Sequence, residues 1–322
     1  MNKTVIVTGA AGFIGSHLAE KLLELEYNVI GIDNFETGLK KNMDSFIDHK
    51  NFKFYVKDLS DSDGVNDLIT VLGYQKLNIE GVFHVAAKAR ITPSILNPSR
   101  TFACNVDGTF NVLELCRALK IKKVVYSASS SAYGDTDKFP NIPTDPTNCN
   151  NPYSVTKFIG EELCKTWAKC YGIDSIRLRY FNVYGSRSQL EGQYAPVVGI
   201  FFRQLLQEKT PMTIVGTGEQ LRDFTHVSDV VRANIAAMNK CAQHSGKLFN
   251  VGCGTNYSIN QLAGFVGGET VTIPPREHDA KETLASIRDT IGCLDWEPTV
   301  SLQQGVEIVR KYYEELFSEN AS

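Results

Sequence analysis

Residues 3–35, KTVIVTGAAGFIGSHLAEKLLELEYNVIGIDNF, decide the fold. Thr4 to Val7 reads as a buried strand, a glycine turn and an amphipathic helix follow, and a second strand from Asn28 to Ile32 ends at Asp33. Gly9, Gly12 and Gly15 are spaced GxxGxxG. The first two glycines let the backbone turn tightly and approach a pyrophosphate, and the third lets the helix pack on the strand. The pyrophosphate then sits at the helix N-terminus, where free N–H groups and the dipole favour an anion. Asp33 stands about 20 residues further on, where a dinucleotide-binding unit places an acid on the ribose 2′-hydroxyl. A glycine turn alone is common in α/β proteins, but strand, helix and acid at these distances favour the binding reading. Asp33 would repel a 2′-phosphate and no Arg follows it, so the expected cofactor is NAD, not NADP.

Strands and helices alternate along the rest of the first half. FKFYVKDL reads as a strand ending at Asp58, and Gly81 to Ala87 as another. Thr101 to Leu119 reads as a helix carrying Asn105, KKVVYSASS as a fifth strand, and Asp174 to Gly185 as a further one. This alternation predicts an α/β fold with a doubly wound parallel sheet. Ligands of such sheets bind outside the carboxyl ends of the strands, where Asp33, Asp58, Ala86, Ala87 and Ser129 all fall.

NNPYSVTK, residues 150–157, supplies the chemistry. Asn151 suits an N-cap and Pro152 the first helical position, which starts a helix that puts Tyr153 and Lys157 on one face. A Lys beside a Tyr favours phenolate and pulls the phenol down from about 10. Tyr153 is therefore a candidate general base for a substrate hydroxyl. A lone Tyr-x-x-x-Lys is a frequent pattern on solvated helix faces; its position in a dinucleotide-binding chain gives it weight.

At 322 residues the chain can bury a large core and is expected to form two lobes. A net charge of −3 gives no reason to expect nucleic acid or an anionic membrane as partner. No apolar run reaches the roughly 18 residues of a membrane span, and MNKTVIVTG reads as strand, not signal peptide. The eight cysteines are scattered without CxxC spacing, so they read as reduced thiols of a cytoplasmic protein with no metal site.

TGAAGFIG, DNF, HVAAKA, NVDGT, YSASSSAYGD, PYSVTK, RYFNVYG and GTGEQLRDFTHVSDV occur in this order and together resemble the extended short-chain dehydrogenase/reductase family. Within it the likeness is to the nucleotide-sugar 4-epimerase branch, and it spans nearly the whole chain. The resemblance implies a Rossmann-like NAD-binding unit over 1–180 with a returning segment at about 223–256. A smaller C-terminal lobe, 181–222 and 257–322, would hold the nucleotide sugar.

The same likeness implies the site. Ser129, Tyr153 and Lys157 take the catalytic positions: Tyr153 removes the proton of the sugar 4-hydroxyl, Lys157 stabilises the phenolate and bonds the nicotinamide ribose, and Ser129 bonds O4. Positioned acid–base groups of this kind contribute about 10²–10⁴-fold. Ser129 could also merely cap its strand end. Around the cofactor the family positions are Gly9, Gly12, Phe13, Ile14 and Gly15, then Asp33, Asn34, Asp58 and Leu59. Ala86, Ala87, Lys88, Asn105 and Tyr180 complete that set with Tyr153 and Lys157. Arg222 and Arg276 match arginines that clamp a diphosphate, for which a guanidinium fork is suited. Asn182, Tyr194, Asp279, Ser130 and Ser131 match further substrate contacts. Arg90 stands where relatives carry a small residue, and is read as a sugar-hydroxyl or carboxylate contact. His84, His226 and Asp229 read as structural.

The implied activity is NAD-dependent 4-epimerisation of a UDP-hexose, either UDP-glucose/UDP-galactose or the N-acetylated pair, through a 4-keto sugar. A UDP-glucuronate 4-epimerase remains an alternative. A 4,6-dehydratase would need an Asp-Glu pair after Ser129, where this chain has Ser130 and Ser131. A non-catalytic NAD-binding regulator would be expected to lack the Tyr-Lys pair. Thr283, counted from Arg276, falls where family members carry either a Tyr that narrows the sugar cavity or a small residue that leaves room for an acetamido group; it could instead cap a helix. The helices at Thr101–Leu119 and Pro152–Tyr171 match those that pair family members into homodimers, with Phe110, Leu113, Phe158 and Trp167 as surplus apolar side chains.

Overall fold

The central strands of the sheet are buried on both sides because helices cover both. A computed structural model describes residues 2–190, 195–275 and 280–319. β1 (Thr4–Thr8) is buried along its whole length and leads into α1 (Phe13–Glu24), β2 (Asn28–Asp33) and β3 (Phe52–Val56). α2 (Ser62–Tyr74), β4 (Ile79–His84), α3 (Ile91–Leu96), α4 (Pro98–Phe102) and α5 (Gly108–Ala118) follow, and then β5 (Lys123–Ser129), α6 (Pro152–Tyr171) and β6 (Asp174–Tyr180). The second part comprises β7 (Val183–Tyr184), α7 (Val197–Phe202), β8 (Met212–Val215), β9 (Leu221–Arg222), β10 (Thr225–His226), α8 (Val227–Lys240) and β11 (Lys247–Val251). β12 (Tyr257–Ser258), α9 (Ile259–Val266), β13 (Thr270–Ile273), α10 (Arg288–Leu294) and α11 (Leu302–Glu319) end the described chain.

The sheet runs in the order β11-β6-β5-β4-β1-β2-β3, and every pairing in it is parallel. This is the doubly wound, Rossmann-like architecture the alternation predicted. One apolar cluster packs α1 and α8 on the sheet, and another packs α2, α5 and α6 on its opposite face. A separate cluster joins α7, β8, α9 and α11 through Phe201, Phe202, Leu262 and Val309. Leu294 and Trp296 also belong to the α1–α8 cluster. Among the described residues no helix is long and apolar enough to cross a membrane.

Several boundaries differ from the sequence expectation. β3 stops at Val56 because Asp58 turns the chain, its Oδ1 accepting the Ser60 N–H at 2.9 Å and the Ser60 hydroxyl at 2.6 Å. The strand expected from Asp174 to Gly185 breaks at Asn182, whose φ is +25°, and β7 leaves the sheet to pair with β10. The helix expected from Thr101 is longer and irregular: Asn97 caps α4, and a π turn at Ala103–Asp107 separates it from α5. Leu113, expected on the surplus apolar face, is 1 % exposed in the core.

α6 begins as its sequence predicted. Asn151 and Ser154 form a reciprocal capping box with Pro152 in the first turn. Further along, Glu161 accepts from Nε and Nη2 of Arg179 on β6, both at 2.8 Å, with 1 % and 2 % of the two side chains exposed. The Arg179 guanidinium also lies 4.3 Å from the Tyr133 ring. A two-pronged buried pair tolerates replacement poorly when only one partner goes, because the other keeps an uncompensated charge. Glu161→Ala should therefore lower unfolding free energy by about 3–5 kcal/mol in a denaturant titration. An unchanged midpoint would show that Arg179 finds other partners.

Candidate active site

A cavity of about 660 Å³ opens along the carboxyl ends of β1, β2, β4, β5 and β6. At its base the glycine turn brings backbone groups closer than side chains allow. A Cβ on Gly15 would stand 2.0 Å from the Gly9 carbonyl oxygen, and one on Gly9, at φ +71°, 2.9 Å from the Ala86 nitrogen. Asp33 closes the turn by accepting the Ala11 N–H at 3.0 Å and the Phe35 N–H at 2.8 Å. Burial raises the Asp33 carboxyl above its ordinary value, and these backbone donors oppose that. Gly12, Phe13, Ile14, Asn34, Leu59 and Ala87 line the same chamber. The tight, side-chain-free cradle at the N-terminus of α1, with an acid at the end of β2, fits a dinucleotide.

The wall beside the cradle is held from behind by a chain of buried hydrogen bonds. The Thr8 oxygen accepts the N–H groups of Val85 and Ala86, both at 3.1 Å, and lies 2.8 Å from Nδ1 of His84. His84 Nε2 lies 3.0 Å from the Thr109 hydroxyl, which donates to the Asn105 carbonyl at 2.6 Å. Burial holds His84 at about 3, so the ring is neutral and serves as a structural link. Asn105, expected at the cofactor, lies behind this wall. Its Oδ1 accepts the Lys88 N–H at 2.7 Å, and its Nδ2 donates to the Lys88 carbonyl at 3.1 Å and to Thr156 at 3.0 Å.

Sequence reading missed an ion network over the mouth of this region. Glu36 meets Lys88 at 2.8 Å and Arg100 at 2.5 Å, and Arg100 reaches Asp58 at 2.6 Å. The Arg100 hydrogen bond, with Lys88 beside it, holds the Glu36 carboxyl at about 2. Sixty-four residues separate Glu36 from Arg100, so no local pattern announces the pair.

Ser129, Ser130, Ser131, Tyr153 and Arg90 line the next part of the cavity. Ser129 ends β5, and its oxygen accepts the Ser131 N–H at 3.2 Å and the Ser131 hydroxyl at 2.9 Å, so it does cap the strand end. Its hydroxyl also favours the phenolate of Tyr153. The expectation that Lys157 pulls the phenol down needs correction in this arrangement. Burial raises Tyr153 above its ordinary value, opposed by Ser129 and by the positive charge of Arg90. Lys157 is 3 % exposed beneath the cavity surface, its Nζ 4.7 Å from the Tyr126 ring, and burial lowers it to about 8. Arg90 has φ +88°, a region that costs a non-glycine residue about 1–3 kcal/mol. Tyr180 lines the cavity, although its hydroxyl turns inward to Ser127 and Asn234, both at 2.9 Å.

Asn182, Arg222 and Thr283 meet at the far end. The Thr283 hydroxyl accepts from Asn182 Nδ2 at 2.8 Å and from the Asp223 N–H at 3.1 Å. It caps no helix, since α10 begins later, after Ile287. Tyr194, Arg276 and Asp279, expected at the substrate, lie outside the described residues. Asp229 is fully buried and accepts the N–H groups of Thr299 and Val300, an anchoring role.

Known proteins share this architecture. The chain is 35% identical over 312 residues to a putative UDP-glucose 4-epimerase of Methanocaldococcus jannaschii, covering 95% of this chain and 96% of that protein. The crystal structure of the UDP-glucose 4-epimerase of Thermotoga maritima with UDP-glucose superposes with a TM-score of 0.89 at 34% identity, covering 97% of this chain and 99% of that one. The UDP-N-acetylglucosamine 4-epimerase of Methanobrevibacter ruminantium, in complex with UDP-N-acetylmuramic acid, gives 0.90 at 29% identity over 98% and 99% of the two chains. With residues 5–252 also matching that family's pattern, the chain belongs to the NAD dependent epimerase/dehydratase family.

Proposed function

We propose that this protein inverts C4 of a UDP-hexose, using NAD as an oxidant that it regains in each turnover. The observation that carries this reading is a single chamber in which the glycine cradle, the Tyr153–Ser129 pair and the Asn182–Thr283 end are continuous. The chemistry that bound NAD supplies is reversible removal of hydride from C4. Tyr153 takes the 4-hydroxyl proton as the hydride leaves and returns it when the other face of the 4-keto sugar is reduced. Ser129 bonds O4 and steadies the phenolate. Lys157, beneath the cavity surface, reaches the nicotinamide ribose. Gly9, Gly12 and Gly15 receive the pyrophosphate, and Asp33 the adenosine ribose. The serines after Ser129 supply no carboxyl pair for water elimination, which argues against a dehydratase.

Arg222 and Arg276 bind the diphosphate in this reading, with Asn182, Tyr194 and Asp279 around the sugar and Arg90 near its reacting side. The nucleotide sugar is held mainly by 181–222 and 257–322, and NAD by the remainder. The eight thiols are free, which suits the reducing cytoplasm.

A symmetric homodimer through α4–α5 and α6 completes the proposal. Phe102, Phe110, Val155 and Tyr171 are 45%, 44%, 40% and 48% exposed there, and the Phe110 and Trp167 rings meet edge to face at 5.7 Å. Such a patch on a lone chain is a liability that a second copy would cover.

Tyr153→Phe should keep fold and NAD and lose more than about 10²-fold in turnover; epimerisation near the wild-type rate would remove Tyr153 from the chemistry. Light scattering at micromolar concentration should give twice the chain mass of 35.7 kDa, and a single-chain mass contradicts the dimer. In a panel of UDP-glucose, UDP-N-acetylglucosamine and UDP-glucuronate, read by separating epimers, the acetylated sugar should be accepted because Thr283 is small. Thr283→Tyr removes the hydroxyl that holds Asn182, so both rates should fall. The ratio of acetylated to plain sugar should fall further, by at least about 10-fold. Equal losses would show that Thr283 is no gate.

A further inference from the structure

Arg90 keeps a left-handed backbone, φ +88°, at the start of α3. Strain of this kind persists where the surroundings over-determine it, and it gathers at active sites. The surroundings here are specific. Ser94, 1 % exposed, donates its hydroxyl to the Ile91 carbonyl at 2.6 Å and accepts the Tyr153 N–H at 3.1 Å. One side chain therefore ties the first turn after Arg90 to the backbone of Tyr153. The guanidinium and the phenol line the same cavity, and each favours the charged form of the other.

The other charged or titratable groups around Tyr153 are differently engaged. On its own helix Lys157 lies beneath, over the Tyr126 ring of β5, and Glu161 is held by Arg179 of β6. Tyr180 at the end of β6 bonds inward, and Arg100 on α4 is occupied by Glu36 and Asp58. Lys88, before α3, meets Glu36, while Asp135 and Arg222 line the same cavity.

We propose that Arg90 is a positioning residue of the acid–base apparatus: tied to Tyr153 through Ser94, its guanidinium eases formation of the phenolate that accepts the sugar's proton. The inference rests on Tyr153 being the base, and it gives the arginine a task beyond contact with the sugar. The sign is fixed by electrostatics. Removing a cation beside a phenol makes its proton harder to lose, so the form able to act as base appears only at higher pH.

The test uses the NAD-loaded enzyme and whichever of UDP-glucose and UDP-N-acetylglucosamine turns over. In Arg90→Gln the acidic limb of kcat/KM should move up by about one pH unit, while Arg90→Lys should leave it near the wild-type position. The ultraviolet tyrosinate signal lost in Tyr153→Phe should titrate higher in Arg90→Gln by the same amount. Arg90→Gly, which the backbone at φ +88° accepts readily, should shift the limb as Gln does with an unchanged or higher Tm, separating lost charge from lost fold. An unmoved limb and unmoved tyrosinate titration in Arg90→Gln, with only KM raised, would overturn the inference and leave Arg90 a substrate contact. Retained turnover in Tyr153→Phe would instead sink the reading of Tyr153 itself.

Discussion

The architecture depends on a close approach between two backbone segments. Gly9 and Gly15 allow the start of α1 to sit against the turn that leaves β1, at a distance no side chain survives. That contact aims the free N–H groups of α1 into the cavity, and it lets the Val85–Ala87 segment descend onto Gly9. With that gap filled, helix, turn and wall would have to move together. Interiors packed to crystal-like density yield only by such concerted shifts.

Around this contact the site is built in two layers with opposite electrostatic character. The inner layer is neutral and hydrogen-bonded, running from Thr8 through His84 and Thr109 to Asn105, and it fixes the backbone that faces the cavity. The outer layer is charged: Glu36, Lys88, Arg100 and Asp58 at one end, Arg90 beside Tyr153 at the other. Burial opposes ionisation in both, lowering His84 and Lys157 and raising Tyr153. Only groups with a charged or hydrogen-bonding neighbour at hand resist that trend.

Local features were legible in the sequence and long-range partners were not. The glycine spacing, the acid after β2 and the Asn151–Pro152 helix start carry their meaning within a few residues, because turns and caps are made by neighbours. The pairing of Glu36 with Arg100, or of Thr283 with Asn182, links elements distant in the chain and depends on the folded arrangement. Asn105 and Lys157 mark an intermediate case. Their positions were readable, yet which side of the cavity wall each side chain faces follows from packing that no spacing records.

The π turn at Ala103–Asp107 takes up one residue of chain length inside a helix. A π turn carries one residue more than regular α-helix would use there. A helix with one residue fewer there could run unbroken from α4 into α5 with both halves facing as they do now. The extra residue therefore leaves Arg100 with Glu36 and Asp58 and keeps Val112 and Leu115 in the core. Length is absorbed at this turn much as surface loops absorb it elsewhere, without turning either helix face.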